Sequence, residues 1–152
     1  YDAKGNLSDW WQPSDAEEYE RRVAVQVAQA ARIEVHGKAL NGKLTCGENI
    51  ADLGGLKLGY RALQAKLAAA EARPPPINGF SAEQRFFLAW AQVWRENTSE
   101  EHALKMVTLD PHGPNEYRTN GPLANMPEFH KAFGVKEGDK MYIPKAESVD
   151  IW

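Results

Sequence analysis

No stretch of this chain limits its folding as tightly as Gly47-Glu48-Asn49-Ile50-Ala51-Asp52-Leu53-Gly54-Gly55. Written on a helix, Glu48 and Asp52 lie one turn apart and project their carboxylates from one face. Like charges at that spacing weaken a helix by roughly 0.2–0.5 kcal/mol, and a cation held against the same face would reverse the sign. Gly54 and Gly55 each cost a helix interior about 1 kcal/mol relative to Ala. A second segment packed too closely for a Cβ is one reason to accept that cost. The run reads as a metal-ligand helix with a close neighbour, or as a surface helix with two solvated acids. Spacing alone leaves both open.

The rest of the chain fits a single domain. It has 152 residues, 43% hydrophobic and 26% charged, in the range of soluble globular proteins and away from disorder. A net charge of -3 offers no electrostatic basis for nucleic acid or an anionic membrane. Cys46 is the only cysteine, which rules out an intrachain disulfide and a thiolate metal cluster. No apolar run approaches the ~20 residues of a membrane span. The opening Tyr1-Asp2-Ala3-Lys4-Gly5-Asn6 carries no initiator Met, so the chain is expected to be a piece of a longer polypeptide.

Along the chain, helices dominate. Trp10 and Trp11 are expected to be mostly buried or to cover a groove. Ser14-x-x-Glu17 reads as a capping box opening a helix to about Ala31, with Tyr19, Val23, Val27 and Ala30 on its apolar stripe. Residues 33–45 read as an irregular connection. A second helix opens at Cys46 or Gly47 and runs to about Ala72, where Arg73-Pro74-Pro75-Pro76 ends it in a stiff link. Ser81-x-x-Gln84 opens a helix to about Asn97, apolar on more than one face and expected to be central. Ser99 caps a short helix to about Thr108. The Pro- and Gly-rich run from Asp110 to Pro122 reads as a long ordered loop of the kind that carries function. Pro127 starts a last short helix ended by Gly134, and an extended tail follows.

Four histidines are available for chemistry. His36 and His102 sit in polar, exposed settings, and His130 lies beside Lys131 on a short helix; all three read as structural. His112 differs, because the Pro/Gly-restricted loop also holds Arg118. An imidazole and a guanidinium on one rigid loop suit an oxyanion donor and a carboxylate clamp. There is no Gly-x-Ser-x-Gly elbow and no Gly-rich phosphate loop, and nothing around Cys46 supports a thiol–His112 pair.

Several segments, in order, resemble the neprilysin/endothelin-converting-enzyme family of zinc metalloendopeptidases. The run Gly47–Gly55 looks like that family's Glu-containing zinc-ligand motif. Asp9-Trp10-Trp11 resembles the segment shortly after its H-E-x-x-H helix. Phe86-Phe87 through Gln92-Val93-Trp94 resembles its core helix, and His112 to Arg118 its substrate-binding loop. Asn120-Gly121-Pro122-Leu123, Met126-Pro127-Glu128-Phe129 and the terminal Trp152 resemble its C-terminal signature.

The resemblance implies a mainly α fold, the helical C-terminal part of a thermolysin-like catalytic domain, and hydrolysis of oligopeptides. Glu48 would be the third protein ligand of a catalytic Zn²⁺. Asp52 would accept a hydrogen bond from a ligating His and fix its tautomer. His112 would stabilise the oxyanion, and Arg118 would bind the substrate main chain or a carboxylate. Val93 and Trp94 would wall the pocket for the residue after the scissile bond. Gly54, Gly55 and Gly59 would allow close approach of the His-bearing helix.

No H-E-x-x-H occurs in these residues, so two ligands and the water-activating Glu are missing. The chain alone is expected to be inactive and without tight zinc. Its partner would be the upstream part of the same polypeptide, with self-association through an uncovered apolar face as the other outcome. The end Val149-Asp150-Ile151-Trp152 lacks the Cys-x-x-Trp of animal members, and Val135 and Arg95 stand at other cysteine positions. That pattern resembles a bacterial member, exported without those disulfides. The rival reading is a non-enzymatic helical interaction module on the same scaffold.

Overall fold

The first helix begins where a proline lets it. In the computed structural model, which describes residues 1–151, α1 spans Pro13–Ala30. Pro13 takes the first helical position, where its restricted φ is already helical and its missing N–H is not needed. The expected Ser14–Glu17 capping box does not form: Gln12 is the N-cap, without a side-chain bond, and Ser14 falls inside the first turn. The buried end of α1 is Gln26 and Ala30. Trp10 and Trp11 stay out of the core. They stack on each other at 4.8 Å, Trp11 lies 5.2 Å from Tyr19, and Trp10 is 59% exposed.

The connection after α1 is more ordered than its composition suggests. β1 (Glu34–Val35) and β2 (Lys38–Ala39) pair antiparallel across His36-Gly37. Both turn residues have positive φ, 49° and 79°, as a two-residue primed hairpin turn requires. Gly42 then passes so close to the end of α1 that a Cβ there would lie 2.3 Å from the Val27 carbonyl oxygen.

α2 (Cys46–Ala68) buries Asn49, Ile50, Asp52, Leu53, Gly54 and Leu56 in its first half. Its second half is progressively exposed, with Leu58 at 67%, and it ends four residues before the expected Ala72. α3 (Ala82–Val93) starts with the expected capping box, Ser81 Oγ accepting from the Gln84 amide at 3.2 Å and Gln84 Oε1 from the Ser81 amide at 2.9 Å. It stops short of Asn97 and is buried on one side only. Phe87 lies in the core, whereas Leu88 and Val93 face outward at 40% and 71% exposure. α4 (Glu100–Leu109) is capped by Ser99 as expected, and α6 (Pro127–Phe133) ends on left-handed Gly134, φ 69°.

The largest departure is α5, Asn115–Ala124, a helix where a loop was expected, with Pro122 inside it. Pro122 has no N–H for the Arg118 carbonyl four residues back, and a proline there normally breaks a helix. Trp90 of α3 replaces the missing donor: its Nε1–H bonds the Arg118 carbonyl at 3.1 Å. Gly121 makes room for the Tyr117 ring one turn earlier; a Cβ at 121 would stand 2.6 Å from it. The long loop shrinks to Asp110–Pro114.

One core joins these pieces: Leu53 and Leu56 of α2, Phe87 of α3, Leu123 of α5, Met126, and Val149 of the tail. Tyr60, Phe86 and Phe129 pack aromatic rings around Phe87 at 5.3–5.5 Å. Asn125, 4% exposed, fastens α1 and the tail to α5. Its amide exchanges hydrogen bonds with Gln29 at 2.8 and 3.1 Å, donates to the Gly121 carbonyl at 2.8 Å and accepts from the Val149 N–H at 2.8 Å. The Trp152 of the C-terminal signature lies outside the described residues.

Candidate active site

The first two turns of α2 present Glu48 and Asp52, and α5 runs against them. Glu48 is half exposed, while Asp52 is 7% exposed and needs a partner. Arg118 of α5 supplies it. Its Nε and Nη2 donate to the two Asp52 oxygens at 2.7 Å each, a bidentate pair. Asp52 raises the guanidinium above its ordinary range, burial opposing. The Trp94 ring lies against the other side of the guanidinium, 3.9 Å from its central carbon, a cation–π contact. Arg118 is thereby held on an edge and a face, and its remaining N–H groups are left for a ligand.

His112 approaches from the Asp110–Pro114 loop. Its Nδ1 lies 2.6 Å from Asp110 Oδ1, and its Nε2 lies 3.2 Å from Glu48 Oε2. A carboxylate oxygen accepts, so Nδ1 carries a ring proton and Nε2 is aimed at Glu48 and the open side. Asp110 also accepts from the His112 backbone N–H at 2.8 Å, the main reason its carboxyl is held below the usual range. Arg118 Nη2 stands 3.7 Å from the same Glu48 oxygen. One carboxylate oxygen therefore faces both the imidazole and the guanidinium.

Close packing sets this geometry. Gly113 carries the loop past α2 and α5, where a Cβ would meet the Tyr117 ring at 3.0 Å and the Asn49 amide oxygen at 3.4 Å. Tyr117 itself is buried and its hydroxyl accepts from Gln26 Nε2 at 2.8 Å, pinning α5 to α1. Asp110, His112 and Arg118 line a cleft of about 1080 Å³, with Met106 and His102 of α4 on its wall.

The structure brings Glu48, Asp52, His112 and Arg118 into one cluster with Trp94. Val93 stands apart as an exposed residue at the end of α3. Among the described residues Asp52 accepts its hydrogen bonds from Arg118, while the ligating His expected beside it belongs to the H-E-x-x-H segment that these residues lack. Gly59 faces Phe86 of this chain's own α3 at 3.3 Å, while Gly55 meets nothing within 4 Å. Two contributors escaped the sequence reading. Asp110 had a signal, a carboxylate two residues before His112. Trp90 had none beyond its place on an aromatic helix, because its partner is a backbone carbonyl.

Among the described residues, no three His, Cys, Asp or Glu side chains converge as a metal-binding group. A half-exposed carboxylate fits one oxygen ligand of a shared zinc site, and catalytic zinc needs three protein ligands. Glu48 fits as one member of such a set.

A mycobacterial zinc metalloprotease, Zmp1 of Mycobacterium tuberculosis solved with an inhibitor, superposes with a TM-score of 0.90 at 36% identity, covering 100% of this chain and 24% of that one. PepO from Lactobacillus rhamnosis superposes at 0.83 with 31% identity, over 100% of this chain and 22% of that one. Human endothelin-converting enzyme 1 is 39% identical over 154 residues, covering all of this chain and 20% of that protein. The described helices are mainly those of these two solved structures. Residues 1–149 match the model of peptidase family M13, and the chain belongs to that family. It spans about a fifth of the length of the curated relatives it matches.

Proposed function

We propose that this chain forms one domain-sized half of the active site of a zinc-dependent endopeptidase that hydrolyses oligopeptides, within a longer protein. The observation that carries the reading is the convergence of His112 Nε2 and Arg118 Nη2 on one Glu48 oxygen, at 3.2 and 3.7 Å. In a family of metallopeptidases, that reads as a carboxylate at the ligand position flanked by an imidazole and a guanidinium suited to binding an oxyanion. Zinc bound there would polarise a peptide carbonyl and activate water.

This chain's residues would do the rest of the positioning. His112, held through Nδ1–H by Asp110, would in its imidazolium form donate from Nε2 to negative charge growing on the substrate carbonyl. Arg118, anchored by Asp52 and Trp94, would use its free N–H groups for a substrate main-chain carbonyl or carboxylate. Asp52 retains lone pairs beyond those Arg118 occupies, so it can also orient a ligating His from elsewhere in the protein. The exposed Val93 and the Trp94 ring would give an apolar wall on the leaving side. Two further ligands and the general base must come from outside this chain, which alone would be inactive. The exposed apolar residues Leu58 and Leu88 support the reading that the rest of the polypeptide covers part of this surface. The same reading assigns the protein to the outside of a bacterial cell's cytoplasm, which cell fractionation tests.

In the longer protein, Glu48→Gln should lose both stoichiometric zinc and hydrolysis. His112→Ala should keep the metal and lose kcat by about 10²–10³-fold, the usual range for an oxyanion donor. Full zinc occupancy in Glu48→Gln, measured by metal analysis, would overturn the ligand assignment.

A further inference from the structure

Arg118 is anchored at two side-chain sites, by Asp52 and by Trp94. We propose that Trp90 is a third anchor, a positioning residue that holds the Arg118 backbone and thereby sets where its guanidinium meets substrate. The observation is a matched pair of irregularities on different helices. Pro122 takes from α5 the one N–H that would close on the Arg118 carbonyl. Trp90, from α3, fills that gap with its indole N–H at 3.1 Å.

The consequence is specific to Arg118. A regular helix would satisfy its carbonyl internally, and α5 could then slide or tilt on α3 without losing that bond. Here the carbonyl has its donor on the neighbouring helix, so the bond fixes α5 against α3 at the residue whose side chain reaches the site. Trp94, the C-cap of α3, follows Trp90 by four residues, with ring centroids 5.3 Å apart and nearly edge to face. One indole takes the Arg118 carbonyl and the other takes the face of its guanidinium. With the Asp52 pair, the residue is held at backbone, face and edge before any ligand arrives. This is preorganisation of a binding group, which lowers the ordering cost of using it.

The inference rests on the peptidase reading for its kinetic consequence and on the fold alone for the bond itself. The test uses the full-length, zinc-loaded protein and the set Trp90→Phe, Pro122→Ala and the double variant. Trp90→Phe removes the donor while keeping an aromatic ring. KM for an oligopeptide should rise about tenfold, the scale of a lost hydrogen bond to a partly buried carbonyl, with kcat changed less than about threefold. Adding Pro122→Ala restores a helical N–H to Arg118 and should return KM to within about threefold of the parent. A role in filling space would leave that rescue absent, so an unrescued double variant overturns the proposal, as does an unchanged KM in Trp90→Phe.

A thermal-unfolding cycle on the same four proteins needs no turnover. Coupling between positions 90 and 122 supports the lock even where no peptide is cleaved, an outcome that would count against the peptidase reading alone. Additivity of the two substitutions overturns the lock.

Discussion

Glu48 and Asp52 share a face and a charge, and their surroundings separate them. Asp52 is buried and gripped by Arg118, while Glu48 is half exposed between His112 and Arg118. Asp110 matters through what it orients. Asp110→Asn would replace an acceptor-only group at His112 Nδ1 with one that can also donate. In the full-length protein, kcat should fall about tenfold, less than the ~10²–10⁴ that a positioned proton donor contributes as a whole, while zinc content is unchanged. Tyr117 offers a pH prediction. Burial pushes its phenol from 10.0 up to about 12, the hydrogen bond from Gln26 opposing. A raised folded-state pKa means stability that is fully present below pH 10 and lost as pH rises towards 12. Between those limits the wild type should lose roughly 2–3 kcal/mol more than Tyr117→Phe, which has no phenol to titrate. Denaturant unfolding at several alkaline pH values checks it.

At the scale of elements, α5 shows why composition misled. Its sequence Asn115-Glu116-Tyr117-Arg118-Thr119-Asn120-Gly121-Pro122 holds two helix breakers, and both act here through long-range contacts. The proline is tolerated because α3 supplies a donor, and the glycine is required because Tyr117 lies over it. Gly121→Ala would improve local helix propensity yet drive a Cβ into a ring that Gln26 pins. It should destabilise by roughly 1–3 kcal/mol, the range for overpacking, seen as a lower denaturation midpoint. By contrast, α3 starts as its local sequence dictates. Ser81→Ala should cost about 1 kcal/mol, as the loss of a side-chain cap does elsewhere.

For the whole molecule, Asn125 decides whether α1, α5 and the tail remain together. Its side chain satisfies groups on all three, and every one of those bonds is lost in Asn125→Ala. Leaving the Val149 N–H and the Gly121 carbonyl without it should cost about 2–6 kcal/mol, summing penalties of about 1–3 per unsatisfied buried group. Loss of cooperativity between tail and core would appear as early amide exchange around Val149. Metal content belongs to this scale too. The isolated chain should bind Zn²⁺ substoichiometrically and weakly, because one carboxylate is too few ligands. Tight equimolar zinc by titration calorimetry would overturn the half-site reading.

The sequence by itself determined the elements whose signals are local. The capping box at Ser81, the Ser99 cap, the Pro127 start and the Gly134 stop depend on backbone groups within a few residues. It also placed Glu48, Asp52, His112 and Arg118 among the site candidates, and named the family through the order of its motifs. The tertiary structure decided what depends on distant partners. The helix at Asn115–Ala124 runs through Pro122, with an indole from α3 bonding the carbonyl that the proline leaves without its amide. Asp52 faces Arg118 because a buried carboxylate takes the nearest guanidinium, and Trp10 and Trp11 stack in the open although their apolar area suggests the core. Short-range hydrogen bonds leave a mark in sequence spacing, whereas a bond between a side chain and a remote carbonyl does not.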